Sequence, residues 1–500
     1  MAGSMIKRLK YISILLLAAA AYNTAAQNSQ VLYYMNLPQK HFLNPALRPS
    51  NSVYIGLPVL SGININFNNN FINFSDVFMK SASGDSVISI FHPNYDIDRF
   101  MPKIKDINSF EIQTMIQLFG LGFNAGKDLY VFFDVNTRVE GNIALPGDII
   151  RLGLLGNEQF VGDKIDLSAL RTDVKLYNEA GLGFSKNFTD RLRVGLKGKM
   201  LSGIGTASLD NNSLGVTVNE DYTHVFDADM SANLSAPLIY YEDPEGNIDS
   251  IKFDEDRFDT AREIIDYLLS SKNKGFGLDI GAEYKITDRL AVSAAVTDLG
   301  YIKWKRDAKN LNAKSSFEFS GIDMLDVYDR EISLDSLGKE LQDSLMNSFS
   351  YNSSELPFTT YLPIGISAGG SYNLTNSVSV GVLSYTRLIG KQIREALTLS
   401  ANLNLSNAFS VSLAYTAANH RYDNLGFGLA FRPGIFQIYF LADRIPVTWN
   451  KVIMDGNTIP LPANWNTVHL RFGMNLAFGN VTKKKVDKPM LPPDENTLIK

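Results

Sequence analysis

The sequence predicts an all-β chain, a transmembrane antiparallel β-barrel of about fourteen strands. Three observations predict it. Apolar and polar residues alternate with period two in runs of roughly ten residues, the length that crosses a hydrocarbon layer when tilted. Very short turns and long loops segregate to opposite ends of those runs. The chain has 500 residues, no cysteine and an export-type leader, and a closed hydrogen-bonded sheet holds an exported chain together without disulfides.

In chain order, the leader comes first. Lys7, Arg8 and Lys10 precede an apolar stretch from Tyr11 to Ala21, and Thr24-Ala25-Ala26 offers small residues for cleavage before Gln27. Residues 1–26 are therefore expected to be a signal peptide. Their removal takes away three positive charges and moves the net charge from −5 to −8.

Strands are expected to start near 53, 112, 128, 174, 190, 274, 290, 361, 377, 393, 408, 424, 435 and 467. Val131, Phe133 and Val135 alternate with Asp134, Asn136 and Arg138; Leu192, Val194 and Leu196 alternate with Arg193, Gly195 and Lys197. The last run, "TVHLRFGMNLAFGN" (467–480), places Phe472, Leu476 and Phe478 toward lipid and Arg471 and Asn475 toward the lumen. It is expected to pair with the first strand and remove the sheet edge. Six connections are tight and carry Asn, Asp, Gly or Pro: "NAGKD" (124–128), "KNFTDR" (186–191), "KITDR" (285–289), "NLTNS" (373–377), "LSNA" (405–408) and "RPG" (432–434). With both ends of the barrel, 51–480, they fall on one side, the periplasmic side. Extracellular insertions are expected near 61–111, 204–273 and 305–360. Within 204–273, "LGVTVNED" and "THVFDADMSANL" read either as a hairpin above the membrane or as two more wall strands, which would make sixteen. The tail, 481–500, with Lys483–Lys485 and several prolines, reads as a disordered periplasmic extension.

Several functions are excluded or disfavoured. The net charge of −5 offers no basic field for nucleic acid. No apolar run of about 18 residues follows the leader, which excludes a helical membrane protein. His41, His92, His224, His420 and His469 have no metal-ligand spacing, so no metal or other cofactor is expected. His469 faces the lumen by phase, but no G-x-S-x-G motif accompanies it, and no enzyme is expected.

Residues 36–50, "NLPQKHFLNPALRPS", precede the first strand. Their Asn44-Pro45-Ala46 resembles the Asn-Pro-Ala motif in the N-terminal hatch of the long-chain fatty-acid transporter family of outer-membrane barrels, and a similar motif recurs near the start of barrels associated with the type IX secretion system. The resemblance implies that residues 27–50 form a hatch, or plug, in the lumen. "YIGLPVLSGI" (54–63) with "KGFGLDIGAEYKITDRLAVSAAVTDLGYIKW" (274–304) resembles an uncharacterised Bacteroidota outer-membrane β-barrel family, a domain of unknown function. That resemblance covers nearly the whole mature chain and implies a barrel and a location, without an activity.

The lumen-facing candidates by phase are Asp134, Arg138, Glu140, Glu179, Arg193, Lys197, Lys199, Asp279, Glu283, Lys285, Arg432 and Arg471. Signs this mixed read as interlocked ion pairs or as a polar conduit. "FDTAREIIDYLLSSK" (258–272) carries Phe258, Ala261, Ile264, Ile265, Leu268 and Leu269 on one helical stripe and is expected to pack on the barrel mouth or another loop. The expectation is an outer-membrane protein, surrounded by lipid and inserted by the barrel-assembly machinery, that takes up a small hydrophobic ligand passively. The alternative is an adaptor barrel that docks a secretion machine or a surface protein.

Overall fold

A computed structural model describes residues 30–80, 87–90, 92–221, 223–242, 248–270, 272–319, 351–390, 392–405, 408–418, 421–445, 449–454, 457–462 and 466–479. The leader, the 481–500 tail, His420 and residues 320–350 of the third insertion lie outside the described residues.

Fourteen wall strands close into one antiparallel barrel. Strand β1 runs in two pieces, Val53–Gly56 and Ile63–Asn69. β2 (Ile107–Asn124), β3 (Leu129–Pro146), β4 (Arg171–Asn187) and β5 (Leu192–Val218) follow. Next come β6 (Lys274–Lys285), β7 (Leu290–Trp304), β8 (Phe358–Tyr361 and Ile364–Asn373) and β9 (Val378–Ile389). β10 (Gln392–Leu405), β11 (Phe409–Ala418), β12 (Arg421–Phe431), β13 (Phe436–Ala442) and β14 (Thr467–Phe478) complete the wall. The opening strand closes on the last one: Ile55 pairs with Leu476 and Ile63 with Phe472. Each wall strand thus has a hydrogen-bonded neighbour on both sides, the condition for crossing lipid with β-structure.

The six tight turns all join consecutive wall strands at one rim, as their turn chemistry predicts. The first insertion is shorter than 61–111 implies, because β1 resumes at Ile63 and continues to Asn69. The question of fourteen or sixteen strands is decided by β5. Its upper half leaves the wall and pairs with His224–Ser235, which pairs with Ala308–Phe319. The extra strands are a projecting sheet above the long-loop rim. They carry their own apolar cluster of Ile165, Leu167, Leu214, Val216 and Val218.

The faces are distinct. Leu182, Met200, Phe276, Leu399 and Leu413 are exposed on the outside, whereas Asp134, Lys197, Asp279 and Asn475 are buried inside. An exposed apolar band around a buried polar interior is the pattern of a barrel solvated by lipid. Among the described residues no helix is long and apolar enough to cross a membrane.

Candidate functional site

The interior is filled by the chain's own N-terminal segment. Helix α1 (Gln30–Tyr34) and a 3-10 turn (Pro38–Phe42) lead into Asn44-Pro45-Ala46. Val31, Leu32, Leu37 and Ala46 have no exposed surface. The segment touches strands around the whole wall. Asp443, just after β13, accepts from the backbone N–H groups of Gln30 (3.2 Å) and Val31 (2.9 Å) and so caps α1. The Gln39 amide donates to Asn475 Oδ1 on β14 (2.7 Å) and to Ser61 O in the gap of β1 (3.1 Å), and accepts from Asn475 Nδ2 (3.1 Å). His41 Nε2 lies 3.1 Å from Asp134 Oδ2 on β3. Asn44 Nδ2 donates to Ser293 Oγ on β7 (3.2 Å), and Ser185 Oγ on β4 donates to Ala46 O (3.0 Å).

The Asn-Pro-Ala residues lie where the wall carries only glycine and serine. Ser185, Gly195 and Gly281 form one cross-strand row. A Cβ on Gly195 would stand 2.2 Å from the Pro45 carbonyl carbon, and one on Gly281 would stand 2.1 Å from Asn44 Oδ1. The close approach explains glycine at both positions. Asn44 Oδ1 also accepts from Ala46 N (2.9 Å), a local turn that holds the segment's shape.

Above this floor the predicted charges meet in one network. Lys197 Nζ lies between Asp134 (2.9 Å) and Glu179 (2.7 Å). Lys199 pairs with Asp279 (2.7 Å) and Asp298 (2.6 Å). Arg138 bridges Glu140 (2.7 Å), Glu179 (2.9 Å) and Asp298 (2.7 Å). The chain continues through Arg387, which holds Glu140 (3.1 Å) and Glu111 (2.7 Å), to Arg394 on the same Glu111. Burial this complete is tolerable only because each ion has several opposite partners. Phe42 of the N-terminal segment lies beneath, with Lys197 Nζ 5.0 Å and the Arg471 guanidinium 5.9 Å from its ring centre. Tyr177, Leu201, Ile302 and Trp304 form an apolar cluster, and the Tyr177 hydroxyl donates to Glu140 (3.0 Å).

The other sequence candidates sit apart. Arg193 pairs with Glu283 (2.6 Å) at the level of the glycine row. Arg471 donates to Asn64 (3.2 Å). Arg432 donates to Ala477 O (2.8 Å) at the short-turn rim. Lys285, the last residue of β6, keeps the inward phase but is exposed at the short-turn rim and lies outside the ion network. His469 is fully buried against Asp443 (2.6 Å) and Asn64 (3.1 Å). Sequence reasoning missed Asp298, Glu111, Arg387 and Arg394. Asp298 follows a bulge: the β6–β7 register slips between Leu278 and Ile280, and Asp298 has φ 61°. Thr297 and Asp298 therefore both point inward, against strict alternation. Arg387 follows Leu383 and Tyr385, which also face inward and pack on the N-terminal segment, so β9 shows no polar face.

The ion network thus runs from β2 to β7 and reaches Arg387 on β9 and Arg394 on β10. On β9 to β14, Leu383, Tyr385, Ala414, Tyr439 and Leu441 form an apolar cluster with Val31, Leu32, Met35 and Leu37, among buried polar residues such as Thr398, Asn402 and Ser412. The cavity beside Phe42, Arg138, Glu179, Lys199, Asp298 and Arg471 measures about 50 Å³, room for a few waters. Among the described residues no cluster of three or more His, Asp or Glu side chains has the arrangement of a metal site.

Fold and interior together define a transmembrane β-barrel whose lumen is occupied by its own N-terminal segment. The chain belongs to a family of unknown function, DUF5723, whose model matches residues 45–443. No curated protein matches it. Among solved structures it is similar to the toluene transporter TbuX of Ralstonia pickettii, at 9% identity over 88% of this chain and 94% of that one, with a TM-score of 0.38. A FadL homologue of Pseudomonas aeruginosa shows 10% identity over 90% and 95%, TM-score 0.37. The toluene transporter TodX of Pseudomonas putida shows 8% over 91% and 93%, TM-score 0.33.

Proposed function

We propose that this protein is an outer-membrane barrel that passes a small hydrophobic molecule passively, with residues 30–50 as a plug whose release opens the path. The observation that carries the reading is the gap in β1. Six residues, Leu57–Gly62, stand where β14 uses only Gly473 and Met474 between its pairing positions. The surplus bows out of the wall. Val59 and Leu60 are exposed on the outer face, 46% and 56%. Behind them Ser61 O accepts from Gln39 (3.1 Å) and from Tyr439 (2.7 Å). The plug is thus tied to an irregular place in the wall, where the bow keeps only a few backbone bonds to its neighbours, such as Val59 N–H to Gln117 O (3.0 Å) and Met474 N–H to Leu60 O (2.7 Å), near the apolar cluster around α1. Its ties at Gln39 are neutral hydrogen bonds, each worth roughly 1 kcal/mol net. A solute that binds the apolar cluster of β9 to β14 better than α1 does can break them. It then meets lipid at the gap, and partitioning alone moves it onward. The ion network keeps the rest of the lumen shut to ions.

The test compares three proteins in planar bilayers and in vesicles loaded with a hydrophobic fluorescent probe: the intact chain, a chain lacking residues 30–50, and a Gln39→Cys/Asn475→Cys pair bridged by a short thiol cross-linker. The reading expects the intact barrel to be closed to ions and permeable to the probe. Deletion should open a conductance, and the bridge should stop probe transfer until it is cleaved. If all three stay closed and transfer the probe no faster than protein-free vesicles, the transporter reading fails and protein partners become the next search.

A further inference from the structure

We propose that helix α2 (Ala261–Leu268), with Leu269, is an interfacial helix that lies on the outside of the barrel and inserts its apolar stripe into the lipid leaflet at the long-loop rim. The helix is well built for its length: Thr260 and Glu263 form a reciprocal capping box at its start. Its position departs from packing into the mouth. Asn178 Nδ2 donates to Leu268 O (2.7 Å), and Ser202 Oγ donates to Ser270 O. Asn178, Ser202 and Lys274 are paired across β4, β5 and β6. In β4 and β5 the neighbours Tyr177, Glu179, Leu201 and Gly203 are the buried, inward residues, so Asn178 and Ser202 point out. The row directly below is Ala180, Met200 and Phe276. Met200 is 68% exposed and Phe276 is 57% exposed, which places them in the lipid-facing band.

The helix end therefore sits one residue row above that band. Ile264, Ile265, Leu268 and Leu269 all remain exposed, Leu269 at 67%. Glu263 and Asp266 occupy the opposite side of the helix and Arg262 flanks Leu269 at the edge of the stripe, all of them exposed. Tyr267 is the side chain that turns back to the protein. Its ring stacks under the Arg306 guanidinium at 3.7 Å and meets Phe258 edge-on at 5.1 Å, so the helix cannot roll its stripe inward without losing both. An apolar stripe of this size left in water is unfavourable, and one continuous with a lipid-facing wall has lipid as its natural cover. The occupant is the headgroup and upper acyl region of the surrounding leaflet.

The chain has no cysteine, so single labels are unambiguous. Leu269→Cys, Asp266→Cys and Met200→Cys, each spin-labelled in the full chain and reconstituted into vesicles of phosphatidylethanolamine and phosphatidylglycerol, report collision with oxygen against collision with a water-soluble nickel chelate. Heat-modifiable migration on a gel confirms that each variant is a folded barrel. The expected result is an oxygen-dominated signal at 269, matching 200, and a nickel-dominated signal at 266. A nickel-dominated signal at 269 overturns the proposal in favour of a solvated loop. A label at 269 shielded from both overturns it in favour of protein cover.

Discussion

Lys197 shows at residue scale how the interior holds together. Its ammonium has no exposed surface and lies within 2.9 Å of Asp134 and 2.7 Å of Glu179. Lys197→Met leaves both carboxylates buried beside each other, so it is expected to destabilise the barrel by about 3–5 kcal/mol. A lower urea midpoint of the folded barrel checks this, and an unchanged midpoint would show that water, not Lys197, satisfies the pair. Gly195 tests a different physics. Gly195→Val puts a side chain where Pro45 and Ala46 run. The wall strand tolerates valine, so the barrel should fold while the N-terminal segment is displaced. The check is the protease sensitivity of residues 30–50 in folded protein, expected to rise. Phase in the sequence exposes Asp134, Glu179, Lys197 and Lys199 as inward residues, because charge alternates with bulk on those strands. Which of them pair is not legible there, since the partners come from different strands and from bulges such as that before Asp298.

Irregularities carry the information at the scale of elements. The gap in β1 inserts an even surplus, so inward and outward phases match on both sides of it. Deleting Pro58–Ser61 should therefore give a continuous β1 in a barrel that still folds by heat-modifiable migration. On the proposed reading the variant transfers a hydrophobic probe no faster than protein-free vesicles. Unchanged transfer would move the exit elsewhere. The alternation around "YIGLPVLSGI" breaks at Leu57-Pro58, which locates the end of a strand but not its resumption at Ile63. The tight turns were easier to read, because Asn, Asp, Gly and Pro act on local backbone alone.

Closure is the property of the whole molecule. The first and last wall strands, more than 400 residues apart in sequence, meet with Ile55 opposite Leu476. A pair of cysteines, Ile55→Cys and Leu476→Cys, is expected to oxidise within one monomer and give a circular species of altered gel mobility after denaturation. Dimers in its place would mean that strands exchange between copies. The same closure makes a plug possible: a fourteen-strand wall leaves a lumen wide enough to need filling, and residues 30–50 fill it.

The sequence by itself determined the barrel class with about fourteen wall strands, sixteen being left open, the shared side of the tight turns and the inward phase of most charges. These follow from a period-two pattern and from turn residues, both of which act over a few neighbours. The tertiary structure alone decided that the extra hairpin projects above the rim, that Asp298, Glu111, Arg387 and Arg394 join the ion network, that Lys285 stays outside it, and that α2 rests on the outer wall. The physical reason is the same in each case. These outcomes depend on which distant strands become neighbours, and pairing between distant strands leaves no periodic trace in the chain.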